Sequence, residues 1–222
     1  MPPERRTIRL SVFNAWRSRS LIDNGRPSGR KAGMESEQVL AAFRDTGALL
    51  TGHFVLRSGL HSRQFFQCAH LLQHPRVAAE VCAALAAKVG PLHADAVISP
   101  ALGGIIVGHE VGRSLGKRHI FAEKDDGKLV LRRGFQISQG ERFLVVEDVV
   151  TRGGRVQETV DIVRAHGGVV VGVATIVDRS GGNHPDYGCP FVSLLALEVE
   201  TFQPDEVPAD LKDVPAVKPG SK

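Results

Sequence analysis

The apolar run Phe143-Leu144-Val145-Val146 ends in two adjacent carboxylates, Glu147 and Asp148. The chain then passes through Val149-Val150 into Thr151-Arg152-Gly153-Gly154-Arg155 before a helical pattern starts at Val156. No other stretch constrains the fold as tightly. A continuous apolar run reads as a strand buried on both faces, which a parallel sheet covered by helices provides. The turn after it, closing on a helix N-terminus, offers backbone N–H groups and a favourable dipole to a phosphate dianion. Glycine at 153 and 154 lets the backbone approach that phosphate where a side chain would stand in the way. The two acids do not suit the same phosphate, because like charges repel; they suit sugar hydroxyls, a divalent cation or a cationic transition state. An ordinary strand-to-helix turn needs only one capping group. The whole set predicts a site for a phosphorylated sugar.

The rest of the chain supplies a matching frame. A helix is expected over 36–46, strand-like pieces near 49–56 and 63–69 with the turn Ser58-Gly59 between them, and an Ala-rich helix over Pro75–Val89. A strand at 95–99, a helix at 104–115, a strand at 118–122 and a polar loop at 123–128 follow. The motif strand at 142–147, its helix at 156–165, and apolar strands at 169–177 and 191–199 complete the series. Strands alternating with helices predict an α/β fold, with a mostly parallel central sheet flanked by helices. In such sheets the ligand sits beyond the carboxyl ends of the strands.

Charge separates the chain into parts. Of the 222 residues, 42% are hydrophobic and 23% charged, which suits one globular domain with an appendage. The formal charge is +4, but residues 1–33 hold eight Arg and Lys against Glu4 and Asp23, so they carry +6 and leave −2 on the remainder. A mildly acidic body gives no support to a nucleic-acid partner. Residues 1–33 lack a sustained apolar period and are expected to be a disordered basic extension. Met34 is the only methionine after Met1, and a start there is favoured over a transit peptide. The domain is expected over 34–203, and 204–222, with four prolines, as a loose tail. No apolar run has the length of a membrane span, so no membrane partner is expected. Cys68, Cys82 and Cys189 show no CxxC spacing and read as buried thiols of a reducing cytoplasm.

Five stretches, over about residues 36–200, resemble the type I phosphoribosyltransferase family and, within it, the orotate phosphoribosyltransferases. The motif from Val146 to Arg155 is similar to the family's site for 5-phosphoribosyl 1-diphosphate (PRPP). Ser99-Pro100-Ala101-Leu102-Gly103-Gly104 resembles its diphosphate loop, and Phe121-Ala122-Glu123-Lys124 the start of its mobile catalytic loop. The stretch from Gly52 to Gly59, with Ser62 and Phe65-Phe66, resembles a small N-terminal hood, about 36–70, where a basic residue and two aromatics surround orotate. Val177-Asp178-Arg179 resembles the strand end whose Arg pairs with the orotate carboxylate.

The resemblance implies residue roles. Lys124, Asp148 and Glu147 would serve catalysis. PRPP would be held by Glu147, Asp148, Val149, Val150, Thr151, Arg152, Gly153, Gly154 and Arg155, with Lys124, Leu102 and Gly103. Orotate would meet Thr151, Arg179, Phe65, Phe66 and Arg57. Physical chemistry agrees in part: a planar guanidinium suits a planar carboxylate, and adjacent Phe65 and Phe66 on a strand face opposite ways, so one belongs to the core. The sequence departs from the family at Gly103 and Glu123, where basic residues are common; Arg132, Arg133 and His119 are candidates for the missing charge. The segment from Lys124 to Lys128 reads equally as a solvated hairpin turn. The implied reaction converts orotate and PRPP to orotidine 5′-monophosphate and diphosphate. Mg²⁺ would be held mainly by PRPP with no direct protein ligand, in a cytoplasmic homodimer with shared active sites. The alternatives are a purine phosphoribosyltransferase and a non-catalytic PRPP-sensing regulator.

Overall fold

A computed structural model describes residues 34–56 and 58–219. The basic extension and Arg57 therefore lie outside the described residues. In chain order the elements are α1 (Ser36–Asp45), β1 (Leu49–Val55), β2 (His61–Phe66), α2 (Cys68–Leu72), α3 (Pro75–Val89), β3 (Ala96–Pro100), α4 (Gly103–Leu115) and β4 (Arg118–Asp125). There follow β5 (Lys128–Leu131), β6 (Arg142–Val150), α5 (Gly154–Ala165), β7 (Val169–Asp178), β8 (Phe191–Ala196), β9 (Thr201–Phe202) and α6 (Ala209–Lys212).

Two-residue periodicity along the central strands sets the layers. Val97 of β3 with Leu144 and Val146 of β6 joins a core that includes Val81 and Leu85 of α3 and Val107 and Val111 of α4. The alternate residues Ala96, Ile98, Phe143 and Val145 pack instead with Val156, Val160 and Val163 of α5. Each fully buried Val, Leu or Ile in these layers contributes about 1.5–3 kcal/mol, so both faces of the strands are firmly held. The sheet order is β5-β4-β3-β6-β7-β8, parallel except for the β4–β5 hairpin. α4 lies low on β3 because Gly104, Gly108 and Gly112 recur one turn apart on its inner side. A Cβ at Gly108 would stand 2.9 Å from Ser99 Oγ, and one at Gly112 would stand 3.0 Å from the Lys117 carbonyl.

A second sheet, β1-β2-β9, forms the hood. The C-terminal stretch corrects the expectation of a loose tail, because residues 204–219 strap this hood. Val55 N–H donates to the Val217 carbonyl at 2.8 Å and Val217 N–H to the His53 carbonyl at 2.9 Å, closing the otherwise open edge of β1. Val207 and Leu211 are buried, and Arg63 of β2 pairs with Asp210 and Glu200. Proline content signalled irregular backbone correctly, but irregular is not unattached.

Other differences are local. Within the expected polar loop 123–128 the hairpin-turn reading of Lys124 to Lys128 holds: β4 runs on to Asp125, and Asp126 and Gly127, with φ of 44° and 87°, make the two-residue turn. The strand expected to run to 69 ends at Phe66, and Cys68–Leu72 is helical, with Cys68, Leu71 and Leu72 buried at helical spacing. The motif strand continues three residues beyond Glu147, pairing Val149 with Val177 and Val150 with Asp178. The last apolar strand stops at Ala196. No described helix is long and apolar enough to cross a membrane.

Candidate active site

β6 delivers Glu147 and Asp148 to the carboxyl edge of the sheet, and both carboxylates fold back on the backbone. Glu147 Oε1 accepts from the Asp148 N–H at 3.0 Å, and Asp148 Oδ1 from the Val149 N–H at 2.9 Å. Thr175 of β7 donates its hydroxyl to the Asp148 carbonyl at 3.1 Å. The first turn of α4 lies against the pair: a Cβ at Gly103 would fall 2.7 Å from Asp148 Oδ2, and one at Gly104 would fall 3.0 Å from Glu147 Oε1. Glycine at 103 thus leaves the Asp148 carboxylate in place, since a side chain there would displace it. Leu102, just before it, is exposed.

Burial, and then the neighbouring Asp148 charge, push the Glu147 carboxyl well above the usual range, while Arg155 draws it down. Burial raises Asp148 as well, against the bonds it accepts. Two carboxylates that resist ionisation in a shared pocket strengthen as anions when a cation enters.

Past Val150 the backbone turns into α5. Thr151 and Arg152 are exposed, and Gly153, with φ of 72°, caps the helix. The first N–H groups of any helix lack intrahelical partners, so those of α5 face the turn as donors. Nothing lies within 4 Å of a Cβ placed at Gly154, which leaves its outer side open. Gly153 is different, because a Cβ there would run into Pro185 Cδ at 2.8 Å and the Tyr187 hydroxyl.

The third wall is Arg179, just past β7, whose N–H donates to the Val150 carbonyl at 2.8 Å. Its guanidinium lies over the Phe66 ring, 5.8 Å from the centroid, and its Nε is buried with no hydrogen-bond partner among the described residues. Burial draws the Arg179 pKa down, with the nearby Cys68 opposing. Phe66 is core, edge-on to Phe43 at 5.5 Å, and Phe65 is half-buried beside Phe54. The opposite facing of the pair was legible; that the core member is the one under Arg179 was not.

A family model described as phosphoribosyl transferase domain matches residues 68–206. The chain is 50% identical over 189 residues to the orotate phosphoribosyltransferase of Caldicellulosiruptor bescii, covering 85% of this chain and 99% of that one. The corresponding protein of Desulforamulus reducens is 48% identical, at 85% and 98% coverage. The chain belongs to the orotate phosphoribosyltransferase family. Among solved structures, Mycobacterium tuberculosis orotate phosphoribosyltransferase in complex with inorganic phosphate superposes with a TM-score of 0.58 at 25% identity, covering 73% of this chain and 95% of that one. The enzyme from Aeropyrum pernix shares the fold at a TM-score of 0.61 and 23% identity, over 72% and 94%.

Within this family member, the segment expected as a catalytic loop is the β4–β5 hairpin. Lys124 is exposed there, opposite Leu129. Arg133 pairs with Glu123 at 3.0 Å, holding that carboxyl below its ordinary range, and Arg132 lies 3.7 Å from Asp125. The two arginines therefore balance acids of the hairpin. His119 cannot supply charge, because its Nε2 bonds Ser99 Oγ at 2.7 Å and burial, with His109, draws its pKa down to about 4. Sequence reasoning missed the Ser99–His119 pair and Tyr187. The only prior signal for Tyr187 was that it is the sole tyrosine. No group of three His, Cys, Asp or Glu converges as a metal cage among the described residues.

Proposed function

We propose that the protein transfers the phosphoribosyl group of PRPP to N1 of orotate, releasing diphosphate and forming orotidine 5′-monophosphate. The observation that carries the orotate assignment is Arg179, a half-buried guanidinium with an orphaned Nε above an aromatic ring. A buried polar group without a partner is unfavourable until one arrives, and a planar carboxylate completes the fork.

The remaining groups divide the reaction between them. The α5 turn, Thr151 to Arg155, receives the 5′-phosphate. Glu147 and Asp148 hold the ribose hydroxyls, and their charge favours the cationic ribose that develops as the C1′–O bond to diphosphate breaks. The turn at Leu102 and Gly103 receives the leaving diphosphate, and Lys124 meets its charge when the hairpin closes. Thr151, Phe65, Phe66 and Arg57 are assigned to the orotate side with Arg179. Little covalent work falls to the protein, so rate comes from positioning and electrostatics. The acid pair, raised by burial, fits a Mg²⁺ that arrives on PRPP, since a dication would ionise both carboxyls. When bound, Mg²⁺ supplies neutralisation of the diphosphate oxygens. Three free cysteines support a reducing cytoplasm, and exposed Leu102 and Ile106 beside the site support a homodimer that covers them.

Diphosphate release is the deciding assay. With PRPP and Mg²⁺, release is expected with orotate and absent with adenine or hypoxanthine. Release with a purine alone would identify the purine branch, and PRPP binding without release would identify a regulator.

A further inference from the structure

The segment joining β7 to β8 begins at Arg179 and folds back over the start of α5. Its Tyr187 is buried, stacked on His184 with ring centroids 5.4 Å apart and flanked by Phe191 at 5.9 Å, so the ring has one fixed position. Two bonds tie it to α5. Arg164, in the last turn, donates to the Tyr187 carbonyl at 2.5 Å, and the Tyr187 hydroxyl donates to the Gly153 carbonyl at 3.4 Å, at the cap. Burial pushes the phenol up to about 12, so it remains a donor.

The Gly153 carbonyl and the Gly154 N–H belong to one planar peptide unit and point opposite ways. A Gly-Gly link is the easiest to flip, because neither residue has a Cβ to restrict it. If this peptide flipped, a carbonyl would face the phosphate where an N–H is needed. The carbonyl already accepts from Gln157 N–H at 2.9 Å, and the Tyr187 hydroxyl adds a second anchor on the protein side.

Resting on the functional reading above, we propose that Tyr187 is a positioning residue for the 5′-phosphate: its hydroxyl locks the Gly153–Gly154 peptide so that the N–H faces the ligand. It acts on one end of PRPP only. The diphosphate turn at Gly103 lies on α4 and makes no use of it.

The test compares ribose 5-phosphate with diphosphate, each titrated calorimetrically into the full-length parent and into Tyr187→Phe. Loss of one neutral hydrogen bond, about 1 kcal/mol, predicts a roughly fivefold weaker ribose 5-phosphate with diphosphate unchanged. The KM for PRPP should rise with kcat retained. Equal binding of both ligands by parent and variant, or equal weakening of both, overturns the proposal. As Tyr187 is the sole tyrosine, growth on 3-fluorotyrosine labels it alone and keeps the hydroxyl, guarding against a variant that folds poorly. Its ¹⁹F resonance should move with ribose 5-phosphate and stay still with diphosphate; no movement with ribose 5-phosphate overturns the assignment. If the parent itself binds no ribose 5-phosphate, the functional reading falls and Tyr187 with it. Normal binding by the parent and an unaffected variant leave that reading intact and remove Tyr187 alone.

Discussion

At Glu147 stability and function pull in opposite directions. Its carboxyl is raised in the folded protein, so between its ordinary value of 4.5 and its folded value the native state holds more protons than the unfolded one. Folding stability contributed here is complete below the ordinary value and is lost as pH climbs to the folded one. Glu147→Gln keeps an Oε1 acceptor for the Asp148 N–H and removes the charge. Its melting point should therefore exceed the parent's at pH 7–8, with the gap closing towards pH 5, while turnover falls by about 10²–10³-fold. A lower melting point across that range would show the charge to be compensated in the folded state. Arg179→Ala should weaken orotate recognition by about 2–5 kcal/mol, the scale for breaking a desolvated charge pair, and leave PRPP binding close to the parent's. Unchanged orotate saturation would remove the base-site assignment. These residues were legible because their types restrict what they can do: paired acids, a left-handed glycine and an arginine at a strand end. Tyr187 and the Ser99–His119 pair were not, since their partners lie 34 and 20 positions away and nothing local marks them.

Elements were read well where periodicity defines them and poorly where a partner strand does. α3 spans Pro75–Val89 as expected and α4 begins one residue early, because an apolar helical face is written locally. The turn of the β4–β5 hairpin was one of two readings of that segment, but β5 itself escaped, because the four residues Lys128 to Leu131 are too few to show a period and only pairing with β4 makes them a strand. The glycine spacing on α4 has its own consequence. Alanine in a helix interior normally gains up to about 1 kcal/mol over glycine. At Gly108 the new methyl would meet His119 and Ser99 Oγ at 2.9 Å, and overpacking of that kind costs about 1–3 kcal/mol. The second effect wins, so Gly108→Ala should melt several degrees lower and weaken diphosphate more than ribose 5-phosphate, as the α4 turn is lifted. A thermal melt and the two titrations check this; a variant more stable than the parent would mean that the pair gives way easily.

For the whole molecule, the described body from 34 to 219 contains every element of the sheet, the hood and its strap. A chain starting at Met34 should keep its melting point and turnover, whereas one ending at Gln203 should lose stability, because the edge of β1 loses Val217 and Arg63 loses Asp210, keeping only Glu200. A dead or unstable Met34 chain would assign the basic stretch a structural role. Two of the exposed apolar side chains among the described residues lie beside the acid pair. Leu102, just before α4, is 83% exposed and Ile106, in its first turns, 46%, both near the acid pair, while Lys124 stands on the hairpin that β4 forms at the carboxyl edge of the sheet. A second copy that covers the apolar pair would bring each hairpin to its neighbour's site. Mixing Lys124→Ala chains with Asp148→Asn chains tests this, since each alone should be inactive in both sites. In a mixed dimer with shared sites, one site combines both lesions and the other combines neither, so random mixing should restore up to about a quarter of parental activity. Mixed dimers isolated with two different affinity tags and showing no recovery would place Lys124 in its own chain's site.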